Sequence, residues 1–286
     1  MLPGSSVAPS GPAIVQIDGL GALTFDSGAV TTVRPDVFRD GHYALFDVLV
    51  HLHRTGQIGL AYHLDETLGT HVIEAINGLS GWWYDAYYSG DWSEKSTMRM
   101  DLYPYKRGTV LRIRRADPER IRQIETTFRD EMQRLAESDG RVIVPSVKIS
   151  TPRGRWAFSD VTVCAHDTRG DVLVPGTVTA LDILLSLCDQ GLLSDVSLVW
   201  YDRIGAAETV ASYFVEQVNE AVAYGGCGFV YEVGPEIYAG YRGNHVHVPS
   251  DVRVIVAPAY GRWYWLCLRG PDAYIRKRSG TDGHCP

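Results

Sequence analysis

The sequence predicts an α+β chain made of two strand-rich units, each holding a single helix, with an amphipathic helix between them. Three observations carry this prediction: an internal repeat, short alternating or β-branched runs around one glycine-terminated helix in each copy, and a helical stripe between the copies.

The repeat is read first because it organises everything else. Residues Phe46 to Ile58 align without gaps on Leu181 to Leu193, with Asp47 on Asp182, Leu49 on Leu184, Leu52 on Leu187 and Gly56 on Gly191. Further on, His71 to Asn77 answers Tyr213 to Asn219, and Gly81 to Asp85 answers Gly228 to Glu232. Collinear blocks in the same helix-to-strand succession predict a duplicated domain.

Residues 1–12, rich in Pro, Gly and Ser, form a flexible tail that cannot pack a core. The first unit, 13–116, opens with a strand at 14–17. Its helix places Phe46, Leu49, Val50 and His53 on one face and stops at Gly56. Strands follow at 59–64, 71–76, 82–88 and 110–113. The linker, 117–139, begins with Asp117 as a cap and Pro118 in the first turn, and Ile121, Ile124, Phe128, Met132 and Leu135 recur at three and four. That stripe must be buried against one unit or in the cleft between them. The second unit, 140–270, carries strands at 142–150 and 161–166. Its helix is introduced by Thr179 and Asp182 as a capping box, faced by Leu181, Leu184, Leu185 and Cys188, and ended by Gly191. Strands at 196–201, 212–218, 229–233 and 252–256 complete it, and 271–286, with Arg276, Lys277 and Arg278, reads as a solvated tail.

Composition bounds the function. A chain of 286 residues suits two modest domains, and 45% hydrophobic with 21% charged residues is ordinary globular composition. A net charge of −7 argues against nucleic acid or an anionic membrane surface as partner, and no apolar run is long enough to insert into a bilayer. Five spread cysteines without a CxxC pair make neither a disulfide framework nor a structural zinc site, which leaves the redox compartment open. As written, the N-terminus lacks a secretory leader and the chain is cytoplasmic; the same Pro/Gly/Ser stretch would serve as a tether if an upstream anchor were missing, which would make it extracytoplasmic.

A strand pair, a helix ending in glycine, strands containing an Ile76-Asn77-Gly78 step, an aromatic strand and a closing Gly108-Thr109-Val110 turn together resemble a β-grasp-like domain of the transcobalamin C-terminal type. The resemblance covers most of residues 13–115 and, more loosely, 141–258, where Asn219 is kept and the glycine is displaced to Gly225. It implies two β-grasp-like domains, each a mixed sheet packed on one helix, and a general binding role. In cobalamin carriers such a domain covers one face of the corrinoid while a helical barrel holds the other. Nothing here resembles that barrel. No catalytic residue transfers.

The densest chemistry lies in residues 81–92. On a strand, Trp82, Tyr84 and Tyr88 share one face and Trp83, Asp85 and Tyr87 the other. If the first face covers the helix, the second offers rings beside a carboxylate, and with Trp92 it could stack on a small molecule that Asp85 orients. The competing reading packs this face on the linker helix or the second unit.

Histidines supply a rival. A five-residue loop over 65–69 would set His63 opposite His71, a half-site for zinc or copper that Asp65, Glu66 or His53 could complete. The plain alternatives are a polar cross-strand pair and burial of His53, whose repeat counterpart is Cys188. His245 and His247 could share a side of a strand, and Cys227 in its glycine-rich loop could meet one of them as a nucleophile, although the glycines equally serve a tight connection. Glu74 and Glu216 are repeat equivalents with a shared structural role. No P-loop, nucleophile elbow, HExxH or dinucleotide fingerprint occurs. The leading expectation is a non-enzymatic module that recognises a small molecule or a protein through the aromatic face of the first unit; the alternative is a metal-dependent enzyme or metal carrier.

Overall fold

The computed structural model describes residues 12–88, 91–92, 97–203, 211–235 and 248–267. Its architecture is α+β, with several sheets and, among the described residues, three α-helices. In chain order the elements are β1 (Pro12–Ile17), β2 (Gly21–Asp26), α1 (Leu45–Arg54), β3 (Leu60–Asp65), β4 (Thr70–Ile76), β5 (Trp82–Tyr88), β6 (Asp91–Trp92) and β7 (Val110–Arg115). Then come α2 (Pro118–Glu137), β8 (Val142–Ser150), β9 (Arg155–Val163), α3 (Ala180–Asp189), β10 (Val196–Tyr201), β11 (Ser212–Val218), β12 (Ala221–Val222), β13 (Cys227–Gly234) and β14 (Tyr260–Cys267).

The two halves share one strand order. The first sheet runs β2-β1-β7-β5-β6 and the second β9-β8-β14-β13, while β3–β4 and β10–β11–β12 stand apart as separate small sheets. In each large sheet the first strand lies parallel to the last, β1 beside β7 and β8 beside β14, and the other pairings are antiparallel. Parallel neighbours require a long crossover, and the helix with its hairpin supplies it in both halves.

Equivalent side chains build equivalent corners. The Asp47 carboxylate accepts the Ala44 and Val33 N–H groups at 2.7 Å each. Asp182 accepts from the Thr179 N–H and hydroxyl at 2.7 and 2.8 Å and from the His166 N–H at 3.0 Å. Each aspartate therefore caps its helix and pins the loop that leads into it. After each hairpin an asparagine turns the chain with a positive φ, 49° at Asn77 and 50° at Asn219, and its side-chain oxygen accepts the N–H of Gly59 or Ser194. Asparagine tolerates that conformation better than other side-chain-bearing residues because its short amide bonds locally.

α1 is wedged between two layers. Phe46, Leu49 and Leu52 meet Val15, Ile17, Tyr84 and Leu111 of the sheet and Leu60 and Ile76 of the hairpin, all buried. At about 1.5–3 kcal/mol per large apolar side chain removed from water, this core is the main source of the first half's stability. The two-layer contact also corrects the expected stripe: Leu45, Val48 and Leu52 are buried too, whereas His53 is exposed at the helix end. α2 begins at Asp117, which caps the Glu119 N–H at 3.0 Å. Ile124 and Phe128 pack on Leu68, Leu135 reaches the second core, and Arg134 Nε donates to the Ala257 carbonyl at 2.9 Å. The helix thus touches both halves.

The two repeat-equivalent segments ahead of α1 and α3 also meet each other. Phe38 and Leu173 form an antiparallel bridge, with the Arg39 N–H on the Val172 carbonyl and the Val174 N–H on the Val37 carbonyl, each at 3.0 Å. Val37, Phe38 and Arg39 are the repeat counterparts of Val172, Leu173 and Val174, so each copy offers the same segment to the other.

Three strand expectations need correction. β2 was not among the predicted strands. The strand expected at 161–166 is the end of β9, which stops at Val163, and the segment at 252–256 is irregular apart from an isolated bridge between Val254 and Thr179. Its place as the last strand belongs to β14, whose Tyr260–Cys267 run pairs with both β13 and β8.

Candidate functional site

β6 pairs only with Tyr87 and Tyr88, so the Trp82–Trp83 end of β5 has no strand beside its outer edge among the described residues. β4 and α2 close over that edge without filling the space. They leave a cavity of about 210 Å³. Phe46, Trp82, Trp83, Tyr84, Met100 and Phe128 supply its apolar lining, and His71, Glu74 and Glu125 are its titratable groups. Apolar cavities of about 150 Å³ hold a benzene ring, so this one has room for an aryl-sized molecule.

The floor is rigid. Tyr84 is buried and donates its hydroxyl to the Met98 carbonyl at 2.8 Å, and Phe46 stacks on His71 with ring centroids 5.2 Å apart. The lid is fastened by Arg99, which donates to the carbonyls of Leu68 (2.9 Å) and Phe128 (3.1 Å), pairs with buried Glu131, and lies 4.3 Å over the Phe128 ring. One guanidinium therefore ties the β3–β4 turn to α2 across the cavity wall.

His71 is held from behind. Its Nδ1 lies 2.9 Å from Asp101 Oδ2, and its backbone N–H donates to the same oxygen at 3.0 Å. Burial would raise the Asp101 pKa, but the His71 and Thr70 hydrogen bonds and the Arg34 charge, whose Nη1 is 3.0 Å away, hold it below the usual carboxylate range. An ionised carboxylate only accepts, so His71 Nδ1 carries a proton. Its Nε2 makes no hydrogen bond among the described residues.

The expected ligand residues divide. Trp83 is half-buried, lines the cavity and packs on the Phe128 cluster, combining the two readings of that face. Asp85 and Tyr87 lie on the outer sheet surface instead. Asp85 pairs with Arg112 of β7, and its fully buried carboxylate is locked by Arg112 Nη2 at 2.9 Å and Arg114 Nε at 2.5 Å. It has nothing left to orient a ligand. Tyr87 pairs with Val110 and Trp92; the Trp92 side chain lies outside the described residues.

The cross-strand histidine pair is corrected by the register. The Asp65–Thr70 pairing at the turn, in place of the expected Leu64–Thr70 pairing, sets His63 opposite Val72 and His71 opposite Leu64, which sends the imidazoles to opposite faces. His63 Nδ1 instead meets Glu74 at 2.8 Å on the surface, and His53 Nδ1 faces the Ile58 carbonyl and the Leu60 N–H. Among the described residues no three metal-ligating side chains converge, so these groups do not fit zinc or copper. Cys227 is joined to Cys267 in a disulfide across β13 and β14, which overturns its reading as a nucleophile; His245 and His247 lie outside the described residues. Among the described residues no helix is long and apolar enough to cross a membrane.

The clamp behind His71 was absent from the residue reading, although its signal is present: Arg34-Pro35-Asp36-Val37 matches Arg169-Gly170-Asp171-Val172 and extends the repeat. Scanned against protein-family models, curated proteins and solved structures, the chain matches none.

Proposed function

We propose that the chain is a non-enzymatic binding module built from two β-grasp-like domains, and that the first domain takes a small, largely apolar molecule into the cavity between β4, β5 and α2. The shared order of strands, with first and last parallel and a helix packed across them, supports the β-grasp reading; the free β3–β4 hairpin is the departure from its simplest form. A single observation carries the functional reading: a 210 Å³ aromatic cavity bordered by an imidazole whose Nε2 is unused and whose ring is fixed by Asp101 and Arg34. A mostly apolar pocket with a few fixed polar groups is the usual form of a small-molecule site.

A corrinoid is not supported as the occupant. The cavity is scaled to one or two rings, and the outer face of the first sheet, where a flat macrocycle would lie, is crossed by the Asp85–Arg112–Arg114 ion pairs. The Cys227–Cys267 disulfide favours an oxidising, extracytoplasmic setting, because such bonds rarely persist among cytosolic thiols.

Titration with benzyl alcohol, followed by tryptophan fluorescence, tests the reading. A saturable change is expected that Val72→Phe, which narrows the cavity, abolishes while leaving the thermal transition cooperative. An unsaturable response, or one equal in both proteins, overturns it.

A further inference from the structure

We infer that the molecule taken up in this cavity is an organic ammonium: a protonated amine at the cavity mouth carrying an apolar, ring-sized body. The inference rests on the cavity reading above and adds the charge of the ligand. Its basis is the sign and hydrogen-bonding character of the lining. Among the described residues the acidic side chains that border the space are Glu74 and Glu125, and no lysine or arginine lines it. His71 borders it too, with its Nδ1 proton held by the Asp101 clamp. Trp82, the one indole with an assigned donor here, spends its N–H on the Leu79 carbonyl at 2.5 Å. The full charges on the wall are therefore negative, which suits an N–H-rich cation better than a carboxylate or phosphate.

Position supports charge. Glu125 is half-buried on α2, and Glu74 is exposed on β4 with its carboxylate 2.8 Å from His63, so both acids stand at the rim while the deep walls are Phe46, Tyr84 and Met100. Burial raises the Glu125 pKa, and Arg129 and Arg122 on the same helix act against that rise; those arginines are exposed and turned to solvent. Arg115 stands behind Gly81 and over the Trp82 ring at 5.5 Å, outside the lining. Trp83, half-buried in the lining, completes the arrangement, because an ammonium near an aromatic face gains from the ring quadrupole.

Calorimetric titration of the full chain at pH 7 with three matched probes, benzylamine, benzyl alcohol and benzoate, tests the inference. Benzylamine is expected to bind about tenfold or more tighter than the alcohol, benzoate to bind most weakly, and Glu125→Gln to bring amine and alcohol within about threefold. Equal binding of amine and alcohol to the native chain overturns the ammonium assignment and leaves the cavity reading standing. Tighter binding of benzoate overturns it in favour of a protonated His71. Absence of binding by all three overturns the cavity reading itself.

Discussion

Arg34 and Arg169 hold the same position in the two copies of the repeat and do the same work. Each grips the aspartate two residues on, Asp36 or Asp171, through Nε and Nη2, and each sends Nη1 to a distant buried aspartate, Asp101 or Asp251, at 3.0 Å. The far aspartate then receives the first backbone N–H groups of the hairpin's second strand: His71 N–H on Asp101, Tyr213 N–H on Asp251. The clamp joins the loop before the helix, the hairpin and the segment before the last strand in both halves. Among the described residues, the first half alone places an imidazole on it.

Removing the far aspartate leaves the arginine's Nη1 and the hairpin N–H without their acceptor while Asp36 or Asp171 still holds the guanidinium, and each such unpaired donor costs about 1–3 kcal/mol. Asp101→Ala is therefore expected to lower the urea midpoint sharply, as is Asp251→Ala. Breaking the exposed Arg122–Glu119 pair on α2 should leave the midpoint almost unchanged, because solvent screens it. Similar small losses from all three would contradict the assignment of the clamps as structural keystones.

The disulfide closes a loop across a sequence separation of 40 residues. Chain-entropy reasoning gives about 3–4 kcal/mol of stabilisation for such a loop. Equilibrium unfolding with and without reductant, repeated on Cys227→Ser, should show a loss of that order in the native chain and no effect of reductant on the variant's midpoint.

Much of the fold was legible in the sequence, and the failures have physical causes. Periodicity and capping located α2, with Asp117 ahead of Pro118, and alternation separated Trp82 and Tyr84 from Trp83 and Asp85, because these signals are local. Non-local facts were hidden. The turn closes on Asp65 and Thr70, one residue shorter than expected, which sets the two histidines on opposite faces; Cys227 met Cys267 through strand pairing that spacing does not reveal, and Asp85 found two arginines on the neighbouring strand. The cavity itself depends on where β6 stops and how α2 crosses, which no motif encodes.

His166 bridges Asp182 Oδ1 and Asp189 Oδ2 at 2.9 Å each, linking the α3 capping box to the end of the same helix. Burial alone would lower its pKa, but the hydrogen bonds to Asp189 and Asp182 and their charges raise it above the ordinary histidine value. A raised folded-state pKa stabilises fully below the unfolded value near 6.5 and loses that contribution as pH rises through the folded value. The difference in unfolding midpoint between the native chain and His166→Gln should therefore be largest near pH 5.5 and shrink above neutrality. A difference that grows with pH would contradict this.

Phe38 and Leu173 meet in an antiparallel bridge and are buried there with Val37, Val172 and Leu102. Phe38→Ala and Leu173→Ala are each expected to cost about 2–5 kcal/mol. Because the residues touch, the double variant should lose less than the sum, and strict additivity would show that the seam is not a shared contact.

The central claim is that the space beneath Trp83 is a binding site, and amide-resolved NMR tests it most directly. Adding benzylamine to the isotopically labelled chain should move the resonances of Thr70, His71, Gly81 and Phe128 together, in one saturable transition, while amides of the second half around Tyr213 and Trp263 stay still. Shifts scattered over both halves, or none at these four positions at millimolar probe, would contradict it.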